Sequence, residues 1–363
     1  MVAGEPRQWL GDRIRRARLM ARMSLRELSG KVGVSAQAIS KYERGLDVPR
    51  SEVLIRIGRA LGVGVEYLLR PGPRFSLRPA YRKRARLPQR EIERLTEEAA
   101  DLLERWLSAE ELVLGVAQEL RLPEGFPRVV RSAEEVEIAV EDLRRAWDLG
   151  GGPLHDLCGL LAHRGIRVGE LDGPEGFDGL ALLARNGDGR RYALIVVRGG
   201  LPGDRQRFTA AHELSHLVLD LPEEAEKLCH RFAGAFLVPR DALRLDLGEQ
   251  RRTLTVRELM LLKLRYRVSM QALIRRAAEA GVLPEDRARG LLTWFRRCGY
   301  HRREPGPQLA PERPGARLEE MVQRGLSEGL ISEGRARELL GQQPGSSRGK
   351  IEHHRAAAIE AVR

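Results

Sequence analysis

Few patterns limit a chain as tightly as two histidines four residues apart with a glutamate beside the first. Residues 208–217 read FTAAHELSHL, which places His212, Glu213 and His216 in that arrangement. On a helix, positions i and i+4 leave the same face, so both imidazoles can reach one Zn²⁺. Glu213 then stands within reach of a water on that ion. Zinc draws the pKa of such a water down to about 7, and a neighbouring carboxylate can take its proton as it attacks a carbonyl. Leu214, Leu217, Val218 and Leu219 supply an apolar side that buries the helix and turns its polar side to a cleft. The chemistry expected is that of a zinc-dependent peptidase.

A catalytic zinc takes a third protein ligand and keeps one position open. Asp220, Glu223, Glu224, Glu226 and His230 all lie just downstream. Pro222 should end the first helix or start the next, and a second helix is expected from about Glu223 to Val238, stopped by Pro239. Glu226, His230, Ala233 and Leu237 follow three-to-four spacing and share a face, so Glu226 can reach back to the metal with His230 one turn further on. Glu223 and Glu224 read as first-turn acids that complement the helix dipole.

These two segments together resemble the ImmA/IrrE family of zinc metallopeptidases. The resemblance implies that His212, His216 and Glu226 bind Zn²⁺ (or Mn²⁺) and that Glu213 is the catalytic base. The family usually carries asparagine where this chain has His230. His230 is therefore a group behind the ligands, a transition-state donor or a competing ligand. The resemblance also implies cleavage of a protein partner, commonly a helix-turn-helix repressor, in stress response or mobile-element control.

Charge sets the N-terminal part apart. Residues 1–90 hold 21 Lys and Arg against 7 Asp and Glu, whereas the whole chain carries +12, so the rest is close to neutral. A basic module on a neutral body is the footprint of nucleic-acid binding. Within it, Ile14, Ala17 and Leu19 suggest a first helix, and Leu25 to Val32 a second with Ser24 as N-cap and Glu27 closing a capping box. Gly33 is a turn residue, Ser35 caps a third helix through Tyr42, and Gly45 ends it. Val53, Ile57, Leu61 and Leu68 complete a five-helix core, with Leu28, Val34 and Ile39 inside. Helix, glycine turn and helix make the helix-turn-helix unit.

Residues 26–45, RELSGKVGVSAQAISKYERG, resemble the XRE/Cro-repressor family closely. The third helix of such a unit enters the major groove of double-stranded DNA. Gln37 can pair with adenine and Lys41 with guanine. Ser35, Ser40 and Arg44 complete the expected DNA-facing set, and Arg26 is placed for a phosphate. Relatives often bind as dimers, although no sequence element here secures a homodimer.

The remainder organises around these motifs. Pro71 to Leu87 reads as a linker whose run Arg82 to Arg86 can add phosphate contacts, followed by a long amphipathic helix from Glu91 to Leu120. Helices are expected over Glu134–Trp147 and Leu154–His163, with His155 and His163 at the surface. Short strands are expected at Ile166–Val168, Gly179–Ala184 and Tyr192–Val197, with Asn186-Gly187 as a hairpin turn. A peptide could add a strand along the edge of that sheet. Three more helices, Val256–Tyr266, Ser269–Ala280 and Glu285–Cys298, precede a proline-rich linker from Tyr300 and a last helical pair over Leu318–Leu340. His353 and His354 fall in a tail expected to be disordered.

The expected fold is mainly α with a small β-sheet (α+β). Its stretches are a helix-turn-helix domain at 8–70, linker and spacer at 71–130, and a zinc peptidase domain at 131–245. A helical extension at 246–300 and a linker, helical pair and tail at 301–363 follow. Three scattered cysteines, no apolar run long enough for a bilayer and no signal-like start at Met1 point to a cytoplasmic protein without a membrane partner. The alternative reading is a non-proteolytic regulator whose metal domain is sensory or structural.

Overall fold

The computed structural model describes residues 6–71, 75–79, 87–222 and 225–342. The basic run Arg82 to Arg86, Glu223, Glu224, His353 and His354 lie outside the described residues. The chain divides into two compact units.

The first unit holds the N-terminal helices α1 (Pro6–Met20), α2 (Leu25–Val32), α3 (Ala36–Glu43), α4 (Ser51–Leu61) and α5 (Val65–Leu69). Local chemistry explains the boundaries. Ser24 and Glu27 close a capping box on α2, and Gly33 follows in the left-handed region at φ 73°, which only glycine adopts without strain. Ser35 caps α3 through the Ala38 amide. Ile14, Leu28, Ile39, Ile57 and Leu68 close the core, while Val34 packs at its margin. Arg18 holds the buried Glu43 of α3 with two nitrogens, at 2.6 and 2.8 Å.

The long amphipathic helix expected over Glu91–Leu120 is α6 (Gln89–Leu114), and its last turns belong to this first unit. There Glu104 receives Arg13 and Arg16 of α1, all three side chains being nearly or fully buried. The helical pair α15 (Ala316–Ser327) and α16 (Glu333–Leu339) contributes its residues from Met321 onward, with Arg105 donating to the Leu339 carbonyl at 3.1 Å.

The second unit is built on a mixed sheet of β1 (Phe75–Pro79), β3 (Ile166–Leu171), β4 (Gly179–Asn186) and β5 (Arg191–Arg198), in the order β1-β4-β5-β3. Within this sheet the β3–β5 pair is parallel and the β1–β4 and β4–β5 pairs are antiparallel. The hairpin expected at Asn186-Gly187 does join β4 to β5, but its turn is 187–189, with Asn186 still in the ladder and Gly189 in the left-handed region at φ 93°. A two-residue strand β2 (Arg128–Val129) pairs with β6 (Leu219–Asp220). β6 ends the preceding helix α9 (Gly203–Val218) before Pro222 is reached. Alternate residues of β5 serve two layers. Ala193, Ile195 and Val197 join a core with α7 (Ala133–Ala146), α8 (Leu157–His163), α9 and α10 (Glu226–Leu237), and Leu194 lies toward Leu102 of α6 across Gly169.

Two stretches differ from expectation. The linker after Pro71 contributes β1, because five of its residues meet the open edge of β4. The stretch after Tyr300 also packs. It follows α11 (Arg240–Leu247), α12 (Val256–Tyr266), α13 (Met270–Glu279) and α14 (Glu285–Arg297) and carries two buried carboxylates. Glu304 accepts Lys263 at 2.8 Å and the Met270 amide at 2.9 Å, and Lys263 also holds Asp204 at 2.7 Å. Glu312 pairs with the fully buried Arg207 of α9 at 2.7 Å. A stretch that buries two ion pairs is part of the domain, whatever its proline content.

The orientation of α10 is set by Glu137 of α7, which is 3% exposed. Its carboxylate receives Arg231 at 2.5 Å and Arg276 of α13, whose second terminal nitrogen lies at 2.9 Å. Burial alone would raise the Glu137 pKa, but the hydrogen bond and charge of Arg276, then those of Arg231, outweigh it and hold the carboxyl below its ordinary value. A depressed native pKa stabilises the fold above the unfolded glutamate value of about 4.3, and that contribution is lost as pH falls through the native value. Removing one partner of a buried pair costs about 3–5 kcal/mol. Urea titrations should therefore find Glu137→Ala less stable by about that amount at pH 7, and the deficit should shrink below about pH 4. A deficit that stays constant with pH would contradict the pairing.

Candidate metal centre

Helix α9 brings His212, Glu213 and His216 to one side, and α10 faces them with Glu226, Cys229 and His230. His212 is 6% exposed and Glu213 fully buried. The His212 and His216 rings lie 5.4 Å apart between centroids, and His230 sits 4.8 Å from His212 on the other side. His230 also stacks on Phe208 at 6.0 Å. Glu226 reaches His212 Nε2 at 3.3 Å, while Cys229 Sγ lies 3.8 Å from His216 Nε2.

The expected ligands His212, His216 and Glu226 therefore fall into two overlapping trios. His212, Glu226 and His230 bring their donor atoms within 4.8 Å of one another, and so do His212, His216 and Cys229. Tetrahedral zinc with bonds of about 2.0–2.3 Å wants donors roughly 3.3–3.8 Å apart, so either trio closes with small side-chain movements. His212 belongs to both. Its Nδ1 is buried with no hydrogen-bond partner, a cost of about 1–3 kcal/mol that a working imidazole at a site can carry. Nitrogen, oxygen and sulfur donors of this kind fit a zinc ion.

Cys229 is the residue that sequence reasoning missed. It was counted only among three unpaired cysteines, yet it stands three residues after Glu226 and so shares its helical face. Burial, opposed in part by a hydrogen bond with Ser215, pushes its thiol up to about 12. His230, by contrast, is exposed beside Glu226 at the open end of the same face.

Strand β4 closes the back of the centre. A side chain at Gly179 would place its Cβ 2.6 Å from the Val196 carbonyl oxygen and from Thr209, and 3.3 Å from Glu213 Cγ. Glycine is what lets the strand pass against the carboxylate. In the first unit, Arg26, Gln37, Lys41 and Arg44 are exposed along α2 and α3, with Ser40 half-buried. Ser35 spends its hydroxyl on the α3 cap, and Arg44 Nε donates to the Ser40 carbonyl at 3.2 Å.

Comparison with known proteins defines the class of each part. Residues 14–68 match the helix-turn-helix family model, of the XRE type, and residues 162–278 match the IrrE N-terminal-like domain. The chain thus joins a helix-turn-helix DNA-binding regulator domain to an IrrE-like domain with a metallopeptidase-like fold. An uncharacterized HTH-type transcriptional regulator of Mycobacterium tuberculosis, present in two strains, is 43% identical over 58 residues. The match covers 16% of this chain and 41% of the relative, so less than half of that protein is spanned. No helix among the described residues is long and apolar enough to cross a membrane.

The Gly179 contact can be measured. Gly179→Ala forces β4 and α9 apart and should cost about 1–3 kcal/mol in urea unfolding. It should also weaken zinc binding in a chelator competition, since α9 carries two of the histidines. An unchanged zinc affinity would mean that β4 does not hold the centre in place.

Proposed function

We propose that the chain is a DNA-binding transcription regulator whose IrrE-like domain is a zinc-dependent endopeptidase acting on a protein partner, a helix-turn-helix repressor being the substrate class the resemblance favours. The observation that carries this reading is Glu213, a fully buried carboxylate next to His212 and against the glycine of β4. A metal held only for structure has no use for a base at that position.

His212, His216 and Glu226 are the residues that would hold the ion, with His230 beside them. When bound, Zn²⁺ (or Mn²⁺) supplies a positive charge that polarises a peptide carbonyl and acidifies a water. Glu213 takes the proton as general base and returns it to the leaving amine. His230, exposed at the mouth and stacked on Phe208, can donate a hydrogen bond to the oxyanion that forms on the carbonyl. In the DNA-binding domain Gln37 and Lys41 read base edges, Ser40 and Arg44 touch bases or phosphates, and Arg26 holds a phosphate. Ser35 acts by fixing the start of α3.

A second reading has its own observation. Cys229 lies 3.8 Å from His216, and a set of the buried His212 and Cys229 with the half-buried His216 would suit a structural or sensory metal without turnover.

Glu213→Gln separates the two. The peptidase reading expects metal content and DNA binding to persist while cleavage of repressors encoded nearby falls by about 10²–10⁴, the usual contribution of a general base. Regulation that survives Glu213→Gln but is lost in Cys229→Ala would favour the sensor. For the DNA contacts, Lys41→Ala should relax specificity at one base pair and cost about 1–3 kcal/mol. Arg26→Ala should instead weaken binding to all sequences and lower the salt slope by about 1.

A further inference from the structure

The sheet edge that leads to Glu213 is covered by this chain's own linker. β1 pairs antiparallel with β4 from Phe75 opposite Asn186 to Pro79 opposite Leu182. Ser76 Oγ donates to the Arg185 carbonyl at 3.3 Å. The register makes β1 run toward the start of β4, where Gly179 lies against Glu213. Leu182 and Gly179 are three residues apart, roughly 10 Å along a strand.

The hold on β1 is weak by construction. It is an edge strand of five residues with one neighbour, and it ends in Pro79, which has no N–H to donate. Short edge strands of this kind open at a small fraction of the global stability. The backbone ladder asks nothing of side chains, so any extended peptide can make the same hydrogen bonds to β4. A protein segment that pairs with β4 in extended form follows the strand whose Gly179 lies against Glu213.

We propose that β1 is an internal occupant of the substrate-binding edge, and that an extended segment of a protein substrate replaces it on β4. The proposal rests on the peptidase reading above. It makes the linker that follows α5 a competitor of substrate, so the DNA-binding domain and the peptidase share one segment of chain. Exchange breaks the β1–β4 hydrogen bonds and forms equivalent ones with the incoming strand.

The test uses the full-length, zinc-loaded chain with Cys298→Ser to remove the exposed thiol. Ser76→Cys with Arg185→Cys pairs residues directly opposite in the ladder, about 4.5–5.5 Å apart at Cα and so within reach of a disulfide. Leu77→Pro loosens the strand without a cross-link. The probe is a synthetic peptide with the sequence of residues 74–87, and binding is read in a Glu213→Gln background, where no turnover intervenes. Leu77→Pro should bind the peptide at least tenfold more tightly than its parent, with hydrogen-exchange protection of the 182–186 amides supplied by the peptide. The oxidised double-cysteine chain should not bind, and reduction should restore binding. Equal binding by locked, reduced and loosened chains overturns the proposal. If binding follows the state of β1 but the Glu213 chain never cuts the peptide or a repressor, strand exchange stands and the peptidase reading falls. Metal-dependent cleavage indifferent to the lock leaves the peptidase and removes the exchange.

Discussion

Everything at the metal centre depends on how α10 is turned about its own axis, and a buried carboxylate fixes that turn. Arg231 follows His230 directly and points to the opposite side, where Glu137 and Arg276 hold it. Consecutive helical residues are about 100° apart, so fixing Arg231 toward α7 leaves Glu226, Cys229 and His230 toward α9. Arg276 ties the same carboxylate to α13 and donates to the Val238 carbonyl at 2.8 Å, where α10 ends. The cluster is costly to desolvate and contributes little net stability for its charge. What it supplies is a single rotation for the helix that completes the site.

The same device recurs at α9. Arg207 is fully buried and held by Glu312 and the Leu154 carbonyl. Asp204 sits one turn before it on Lys263, which also holds Glu304. These residues lie one to two turns before His212, so the stretch from Tyr300 to Glu312 anchors the start of the helix that carries both histidines. Gly203 N donates to the Leu309 carbonyl at 3.2 Å, close enough that a side chain there would strike Ala310. Buried ion pairs thus fix the two site helices, where a purely apolar contact would permit sliding by a turn.

What could be read from the sequence divides along the range of the interactions. The helix-turn-helix boundaries follow from contacts within four residues, such as Ser24 with Glu27 and Ser35 with Ala38, and the expected and observed helices coincide there. The β4–β5 hairpin was legible for the same reason, through Asn186-Gly187. β1 was not, because its partner lies more than a hundred residues away and its flanking prolines read as linker. Glu304 and Glu312 look like solvated charges until Lys263 and Arg207 are beside them. In the site, His212, Glu213 and His216 announce themselves by spacing. The split of the donors into two overlapping trios emerges only when α10 is packed.

That division bears on whether the centre does chemistry. Around α10 the donors pass from Glu226 and His230, both exposed, to Cys229, which is 1% exposed. A catalytic ion needs a position that a substrate oxygen can reach, which the exposed end provides. A structural ion needs closure, which the thiolate at the buried end would give. His212 serves both ends, and Glu213 is adjacent to it rather than to Cys229 in the chain. Glu213 therefore stands next to the one histidine common to both donor trios. Glu226 and His230 are on the exposed side of the cluster, whereas Cys229 is on its buried side. On the proposed reading, the preference of a metal between carboxylate and thiolate would decide between turnover and sensing. Mn²⁺, which favours oxygen donors, would press the balance toward the open end.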